Sequence, residues 1–248
     1  MKTIIFAHRG ASKEAPENTM PAFELGYEQG AQGIETDVQL TKDRVPVLIH
    51  DEKINRTSNY KGYVKDFTYQ ELSQLDFGSW HSSKYKGASI ITLDSFLEWA
   101  QHKSLLINIE LKTNVLEYEG IEEIVLDRIN HYDMFNRTVC SSFNPNTIKR
   151  LHHLDPRLEI ALLTKQKLKN LDSTLHKIGS RAFHTKYRNL SESLVKACKS
   201  HKIPLRIYTV NNPAHMIRCF HLGVTGIFTD LPALALEYKK IVEETNHS

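Results

Sequence analysis

The pattern that decides the fold begins with Thr3-Ile4-Ile5-Phe6-Ala7-His8-Arg9, a short apolar run that ends in side chains able to do chemistry. A run of this length, bounded by polar residues, is typical of a buried strand. Similar runs recur at 33–38, 104–111, 137–143, 157–163, 181–185, 203–210 and 225–229. Those richest in Ile, Leu and Val predict strands that are buried on both faces, as in a parallel sheet.

Segments with helical periodicity separate most of these predicted strands. We expect helices at 18–30, 93–102, 117–131, 145–153, 191–201, 212–222 and 232–244, and a less regular one at 165–178. Glu17-Asn18-Thr19 is a start signal for the first helix, and Gly223 is a stop signal after 212–222. Eight strand–helix units predict an α/β fold of the (β/α)8 TIM-barrel type. A doubly wound open sheet, for which six strands suffice, is the alternative.

One segment interrupts the alternation of strands and helices. After the second strand, Thr41-Lys42-Asp43-Arg44 predicts a turn and 45–50 a returning strand. Residues 52–90 are polar and aromatic, which predicts a small subdomain that packs on itself or over the barrel mouth. The 248 residues are therefore expected to form a single catalytic barrel domain, 1–248, with an insertion at about 52–90.

Composition limits the classes of partner and the compartment. The chain has 32 basic and 29 acidic residues, a net charge of +3 and no long basic run, so we expect no nucleic-acid partner. Cys140, Cys198 and Cys219 fall in apolar stretches and lack the spacing of metal ligands. We therefore expect them to be buried free thiols in a reducing compartment. No apolar stretch approaches the roughly 20 residues that span a bilayer. His8 cuts the N-terminal run too short for a secretory signal. We expect a cytoplasmic protein without stable membrane insertion, and its oligomeric state stays open.

Three carboxylates at predicted strand ends suggest a metal site. Glu35 and Asp37 are two residues apart and share one face of a strand, while Glu110 ends the next strand of the barrel. Functional groups of such barrels lie at the carboxyl ends of the strands. Each carboxylate alone is compatible with an ordinary surface position, but their common level in the barrel favours a site. Carboxylates without cysteine favour one hard divalent cation, Mg²⁺ or Ca²⁺, over Zn²⁺.

Two histidines and two cations complete the candidate site. His8 and His50 are the acid–base candidates, because an imidazole titrates near pH 6.5 in water and can accept or donate a proton near neutrality. Arg9 and Lys112 are candidate phosphate ligands, although a plain ion pair with a nearby carboxylate is the alternative for Arg9. His184, at the end of a later strand, is a further candidate by position. These residue types together predict a metal-dependent phosphoester site.

The candidate residues lie within a longer ordered set of motifs: His8-Arg9-Gly10, Pro16-Glu17-Asn18-Thr19, Gly33-Ile34-Glu35-Thr36-Asp37-Val38, His50-Asp51, Arg56-Thr57, Glu110-Leu111-Lys112, Tyr208-Thr209-Val210-Asn211 and Gly223-Val224-Thr225-Gly226-Ile227-Phe228-Thr229-Asp230-Leu231-Pro232. This set spans nearly the whole chain and resembles the glycerophosphodiester phosphodiesterase family. The resemblance implies a barrel with an insertion after the second strand. It also implies hydrolysis of glycerophosphodiesters, such as glycerophosphocholine or glycerophosphoethanolamine, to an alcohol and sn-glycerol 3-phosphate.

The resemblance assigns a role to each matching position. Residues that match the metal ligands of the family are Glu35, Asp37 and Glu110, and those that match the acid–base pair are His8 and His50. Arg9 matches a phosphate-binding position, and Lys112 matches a lysine beside the phosphate. The small-molecule glycerophosphodiester is then the expected partner. Which histidine is the acid, and whether water or a glycerol hydroxyl attacks, stays open.

Three positions depart from the family pattern, and one of them, Ile91 in place of a usual Pro, concerns only the local backbone. Arg44 stands where the family usually has Gly, so we expect that turn to form without a positive φ. Tyr208 replaces a usual Trp near the site and bears on substrate preference.

Two other interpretations of the function also remain. One is a sphingomyelinase D-like or lysophospholipase D-like enzyme that acts on choline lipids, and the other is a barrel that binds glycerophosphodiesters without cleaving them.

Overall fold

A computed structural model describes residues 3–245 of the protein. The strands of this part of the chain are β1 (Ile4–His8), β2 (Gly33–Leu40), β3 (Pro46–Leu48), β4 (Leu106–Leu111), β5 (Thr138–Ser142), β6 (Glu159–Thr164), β7 (Ala182–Lys186), β8 (Leu205–Tyr208) and β9 (Gly226–Thr229). Its α-helices are α1 (Met20–Glu28), α2 (Tyr69–Ser73), α3 (Leu93–Gln101), α4 (Ile121–His131), α5 (Pro145–Leu154), α6 (Leu171–Ile178), α7 (Glu192–Ser200), α8 (Pro213–Leu222) and α9 (Pro232–Thr245).

Eight of the strands form a closed parallel barrel. Each pairs with the next in the order β1-β2-β4-β5-β6-β7-β8-β9, and β9 pairs back with β1 to close the ring. The predicted (β/α)8 barrel is therefore confirmed, and the open doubly wound sheet is excluded. β3 is the predicted returning strand and runs antiparallel to the end of β2, beyond the residues that pair with β1.

Helix boundaries shift where loop residues take on other contacts. The predicted helix 18–30 begins only at Met20, because Asn18 adopts a φ of 56° and points its side chain into the barrel rim. The predicted helix 117–131 begins at Ile121, after Gly120 with a φ of 72°. Within 165–178, helix covers only Leu171–Ile178. The remaining predicted strands and helices match the observed ones to within two residues at each end.

The turn between β2 and β3 differs from the expectation. Arg44 has a φ of 63°, so the prediction that this turn forms without a positive φ is wrong. Hydrogen bonds hold the residue there: Arg44 Nη2 donates to the Glu119 carbonyl over 2.9 Å, and Thr41 Oγ1 accepts from the Val45 amide over 2.9 Å. They offset the strain that glycine would not have at this position.

The main apolar core lies between the barrel and its helices, and a separate aromatic side chain, Phe6, helps to fill the barrel interior. Phe6 occupies the interior, and a Cβ on Gly33 would lie only 2.4 Å from its ring. A separate cluster of small residues joins Val139, Ala161 and Ala182. Because Gly33 leaves space for a full aromatic ring, Phe6 can fill the barrel below the level of His8.

The insertion packs mostly on itself. A second apolar cluster gathers Val47, Ile49, Ile54, Val64, Leu72, Phe77 and Ile90. Tyr60, Tyr63 and Trp80 remain exposed. The insertion touches the barrel loops through Tyr85, whose hydroxyl donates to the Glu14 carbonyl over 3.0 Å. The division into one domain with an inserted subdomain stays a prediction.

Two sequence expectations concern the surroundings of the protein rather than its fold. All three cysteines are free thiols and buried, as expected. Among residues 3–245, no helix combines the length and apolar character needed to cross a bilayer. The cytoplasmic location stays a prediction.

Candidate active site

Strand register brings the predicted site residues together at the carboxyl ends of three neighbouring strands. His8 of β1 lies beside Glu35 of β2, and Asp37 of β2 lies beside Glu110 of β4. One oxygen from each of Glu35, Asp37 and Glu110 lies within 4.8 Å of the others, and all three residues are buried. We call these three residues the acidic trio. The strand pairing alone therefore assembles residues that are 75 positions apart in the chain.

Burial and neighbouring charges push the carboxyl groups of the acidic trio apart in pKa. Burial, and then the charge of Asp37, raises the pKa of Glu35 to about 8. Burial acts the same way on Asp37, but Arg9 and Lys112 outweigh it and hold the pKa of Asp37 well below its usual range. An isolated carboxylate would be costly here, so the site depends on nearby positive charge.

The acidic trio fits a hard divalent cation. Two oxygens bound to one ion at about 2.4 Å can be no more than about 4.8 Å apart, which agrees with the observed spacing. Asp37 Oδ1 is buried and has no hydrogen-bond donor. An all-oxygen donor set with such an unsatisfied atom suits Mg²⁺ or Ca²⁺.

Both candidate phosphate ligands contact the acidic trio. Lys112 Nζ lies 2.7 Å from Glu110 Oε1 and 3.7 Å from Asp37 Oδ1. Arg9 Nε lies 3.1 Å from Asp37 Oδ2, without the alignment of a hydrogen bond. Arg9 and Lys112 also line the cavity at the barrel mouth. The ion pair given as the alternative for Arg9 is thus present, and the position of Arg9 in the cavity leaves it able to meet an anion.

Each of the two candidate histidines is oriented by an aspartate that contacts its Nδ1 atom. His8 Nδ1 lies 2.6 Å from Asp230 Oδ1, and His50 Nδ1 lies 2.6 Å from Asp51 Oδ1. Burial raises the pKa of both carboxyl groups, but hydrogen bonds from their partners, including these histidines, outweigh it and lower each pKa to about 2. Each ionised carboxylate thus accepts a hydrogen bond from the Nδ1 atom of its histidine, which leaves the Nε2 atom of each ring for other partners.

Several side chains that hydrogen-bond to the site residues were not predicted as site residues from the sequence. Asp230, which follows β9, accepts from His8 and also from Asn211 Nδ2 over 2.5 Å. Its position directly after a barrel strand was a usable signal. Asn18 donates to Asp37 Oδ2 over 3.0 Å and accepts from Thr36 Oγ1 over 2.8 Å. Asn18 lies in the motif Pro16-Glu17-Asn18-Thr19, but within that motif it is interpreted only as part of a helix-start signal.

A chain of ion pairs joins the insertion to the barrel rim. Arg56 lies between two carboxylates, with Nη1 2.7 Å from Glu17 Oε2 and Nε 2.7 Å from Asp51 Oδ2. Glu17 also accepts from Arg9 Nη1 over 3.0 Å. The contacts therefore connect His50, through Asp51 and Arg56, to Glu17 and Arg9.

The cavity above these residues has a volume of about 680 Å³. Both histidines and two members of the acidic trio, Glu35 and Glu110, line it. His184 also lines it but is fully buried, with Nε2 3.2 Å from Arg206 Nη1. Burial and then Arg206 hold the pKa of His184 well below its usual value. His184 therefore sits in the cavity as a neutral ring.

The fold and the site together define a class: a (β/α)8-barrel protein with carboxylates, cations and paired imidazoles at the carboxyl ends of its strands. Residues 8–234 match the sequence profile of the Glycerophosphoryl diester phosphodiesterase family. The chain belongs to this family.

Individual relatives agree with this assignment. The sequence is 41% identical over 232 residues to a glycerophosphodiester phosphodiesterase of Caldanaerobacter subterraneus subsp. tengcongensis, covering 94% of this chain and 96% of that one. It is 40% identical over 241 residues to one of Bacillus altitudinis, covering 96% and 98%. A phosphodiesterase of Oleispira antarctica, solved in complex with the product sn-glycerol-3-phosphate, superposes with a TM-score of 0.86 at 25% identity, covering 96% and 97%.

Proposed function

We propose that this protein hydrolyses glycerophosphodiesters, such as glycerophosphocholine and glycerophosphoethanolamine, to an alcohol and sn-glycerol 3-phosphate. The observation that carries the proposal is that the acidic trio, of which Glu35 and Glu110 line the cavity, lies together with two carboxylate-bound histidines that line the same cavity. Membership of the phosphodiesterase family and the product bound to the Oleispira antarctica relative support the same activity.

In this proposal Glu35, Asp37 and Glu110 hold one divalent cation, Mg²⁺ or Ca²⁺. A bound cation polarises a phosphoryl oxygen and offsets negative charge in the transition state. Arg9 and Lys112 bind the non-bridging phosphate oxygens, because both cations reach the cavity beside the acidic trio.

The two histidines divide the proton transfers. We assign His8 as the base that takes a proton from the attacking oxygen and His50 as the acid that protonates the leaving alkoxide. Asp230 and Asp51 keep each ring oriented and stabilise it when it is protonated. The attacking oxygen is either water or the glycerol hydroxyl next to the ester. The second route passes through a cyclic phosphate, which water then opens to give sn-glycerol 3-phosphate.

A glycerol 3-phosphate assay tests the proposal. Glycerophosphocholine and glycerophosphoethanolamine are each incubated with the protein before and after chelation, and then with Mg²⁺ or Ca²⁺ added back. We expect release that stops on chelation and returns with the ion. The thermal unfolding midpoint should rise when the ion is added, because an ion that binds only the folded state stabilises it.

Variants in the same assay test the histidines. His8→Ala and His50→Ala should each lose about 10²–10⁴-fold in turnover, the usual contribution of a proton-transfer group. His153→Ala, on the exposed face of α5, is the matched control and should keep full activity. Near-normal turnover in either site variant would remove that histidine from the mechanism. No release of glycerol 3-phosphate from either substrate by the metal-loaded protein would end the proposal.

A further inference from the structure

The cavity has a basic side that the proposed chemistry does not use. Lys165 follows β6, Lys186 ends β7 and Arg188 lies just beyond, and all three line the cavity. We call them the basic wall. In the order of the barrel, β6 and β7 lie across from β1 and β2, so the basic wall faces His8 of β1 and the two members of the acidic trio on β2, Glu35 and Asp37.

The positive charge of the basic wall is not neutralised by the chain. Within residues 3–245, none of its three side chains has a carboxylate within ion-pair distance. The carboxylates that line the cavity are Glu35, Glu52 and Glu110, which belong to β2, the segment after β3, and β4. Arg188 Nη2 donates to the Lys165 carbonyl over 2.9 Å, which ties two members of the wall together. Unpaired cations that converge on a cavity attract anions.

The aromatic residues nearby do not offer an open cage for a cationic headgroup. Lys165 Nζ already lies 5.5 Å from the centre of the Phe143 ring. The Tyr187 ring is stacked on His215 at 3.7 Å. A quaternary ammonium group binds well over free aromatic faces, but here Lys165 lies over the Phe143 ring and His215 covers one face of Tyr187. Such a group would also meet the three positive charges of the basic wall.

We propose that the preferred substrates carry an additional anionic group, a phosphate or a carboxylate, on the part of the molecule that extends from the scissile phosphate towards the basic wall. This inference rests on the proposed function, since it assumes that the phosphodiester group lies at the acidic trio. A cavity of about 680 Å³ is within the usual size of small-molecule sites and leaves space for such an arm.

Two matched substrate pairs test the inference. Glycerophosphoglycerol is compared with the same molecule carrying a terminal phosphate, and glycerophosphoethanolamine with glycerophosphoserine, which adds a carboxylate. We expect kcat/KM to be about tenfold or more higher for the anionic member at low salt. The ratio should fall between about 20 mM and 500 mM NaCl, because exposed charges are screened. A preference in one pair alone identifies which anion is recognised.

Charge-removal variants connect the preference to the basic wall. In the variant Lys165→Gln/Lys186→Gln/Arg188→Gln, the ratio of kcat/KM between the members of each pair should fall towards one. Lys167→Gln, two residues from Lys165 but outside this cavity, is the matched control and should keep the wild-type ratio.

The outcomes separate the inference from the proposed function. Equal kcat/KM within both pairs, or faster cleavage of glycerophosphocholine than of the anionic substrates, overturns the inference while hydrolysis itself stands. An unchanged ratio in the triple variant with an intact fold also overturns it. If no glycerophosphodiester is cleaved at all, the proposed function fails and the inference fails with it. The salt dependence uses the wild-type protein, so the test holds even if the triple variant does not fold.

Discussion

His8 and His50 use the same nitrogen to hold their orientation, yet their carboxylate partners come from different parts of the chain. Asp51 is the next residue after His50, whereas Asp230 lies 222 positions from His8 and follows the last barrel strand. The orientation of His8 therefore depends on closure of the barrel between β9 and β1. A carboxylate on Nδ1 fixes the tautomer in which Nε2 can accept a proton.

The partner of His8 gives the first prediction. Asp230→Asn should lower kcat by about 10²-fold or more, since an amide in place of the carboxylate no longer stabilises the protonated ring. The measurement is steady-state kinetics with glycerol 3-phosphate release, together with circular dichroism. Asp172→Asn removes an exposed His–Asp pair with His201 and should leave kcat unchanged. Equal kcat in wild type and Asp230→Asn would exclude a positioning role for Asp230.

The lowered pKa of Asp230 predicts how stability depends on pH. Its pKa falls from 3.8 to about 2 in the folded protein, so the stabilisation is present above pH 4 and is lost as the pH falls towards 2. Asp230→Asn should thus have a lower unfolding midpoint than wild type at pH 6. The difference should shrink when thermal unfolding is repeated near pH 3. A difference that is constant with pH would show that ionisation of Asp230 does not contribute.

Individual residues also show which parts of the site could be predicted from the sequence. The position of Glu35, Asp37 and Glu110 followed from strand ends and the two-residue alternation of a strand, which are local properties. Asn18 could not be assigned, because its side chain serves Thr36 and Asp37 only once the loop adopts a positive φ. Arg44 shows the same limit, since hydrogen bonds distant in the chain hold its backbone where glycine is usual.

At the scale of strands, the register that assembles the site depends on a close fit of β1 and β2. Phe6 of β1 lies against the backbone of Gly33 in β2, and it also contacts Phe228 of β9 with ring centres 5.1 Å apart. His8 follows two residues later on the same face of β1. The packing of Phe6 therefore helps to set the depth at which His8 and Glu35 meet.

This fit predicts a large effect from one methyl group. Gly33→Ala should destabilise the protein by about 1–3 kcal/mol or more, because the new Cβ would lie 2.4 Å from the Phe6 ring and 3.0 Å from the Leu106 carbonyl oxygen. Chemical denaturation measures the free energy of unfolding. Gly226→Ala, whose Cβ would meet its nearest atoms at 3.2 Å, is the matched comparison and should cost less.

A second substitution identifies the cause of that loss. Phe6→Leu in the Gly33→Ala background should recover part of the stability, since a smaller side chain relieves the contact with the ring. If the two substitutions simply add, or if Gly33→Ala is as stable as wild type, the proposed fit between β1 and β2 is not what limits this position.

Across the whole molecule, the insertion contributes to the site through charge rather than through its apolar cluster. Of its residues, Glu52 borders the cavity. Its stronger connection is Arg56, which bridges Asp51, the partner of His50, and Glu17, the partner of Arg9. The position of the insertion after β2 was predictable from the sequence pattern. This connection was not, because it needs the insertion to fold back over the loop after β1.

Arg56 gives the last prediction, which concerns the coupling between insertion and barrel. A guanidinium can pair with two carboxylates at once, and Arg56 does so through four contacts of 2.7–3.2 Å. Lysine keeps the charge but not this planar geometry. Arg56→Lys should therefore let Asp51 and Glu17 move, and with them His50 and Arg9. Because a displacement of about 1 Å can cost up to about 10²-fold in rate, we expect a loss of about 10–10²-fold in kcat.

Stability should change little in Arg56→Lys, since Arg56 is 43% exposed and exposed ion pairs contribute about 0–1 kcal/mol. The pH–rate profile should change shape as well as height, because the carboxylate that orients His50 is no longer held. Arg157→Lys alters a bidentate pair with Asp155 far from the cavity and is the matched control, expected to keep wild-type kinetics. If Arg56→Lys keeps the wild-type kcat and pH–rate profile, the insertion does not position His50 and Arg9, and its role is limited to packing beside the barrel.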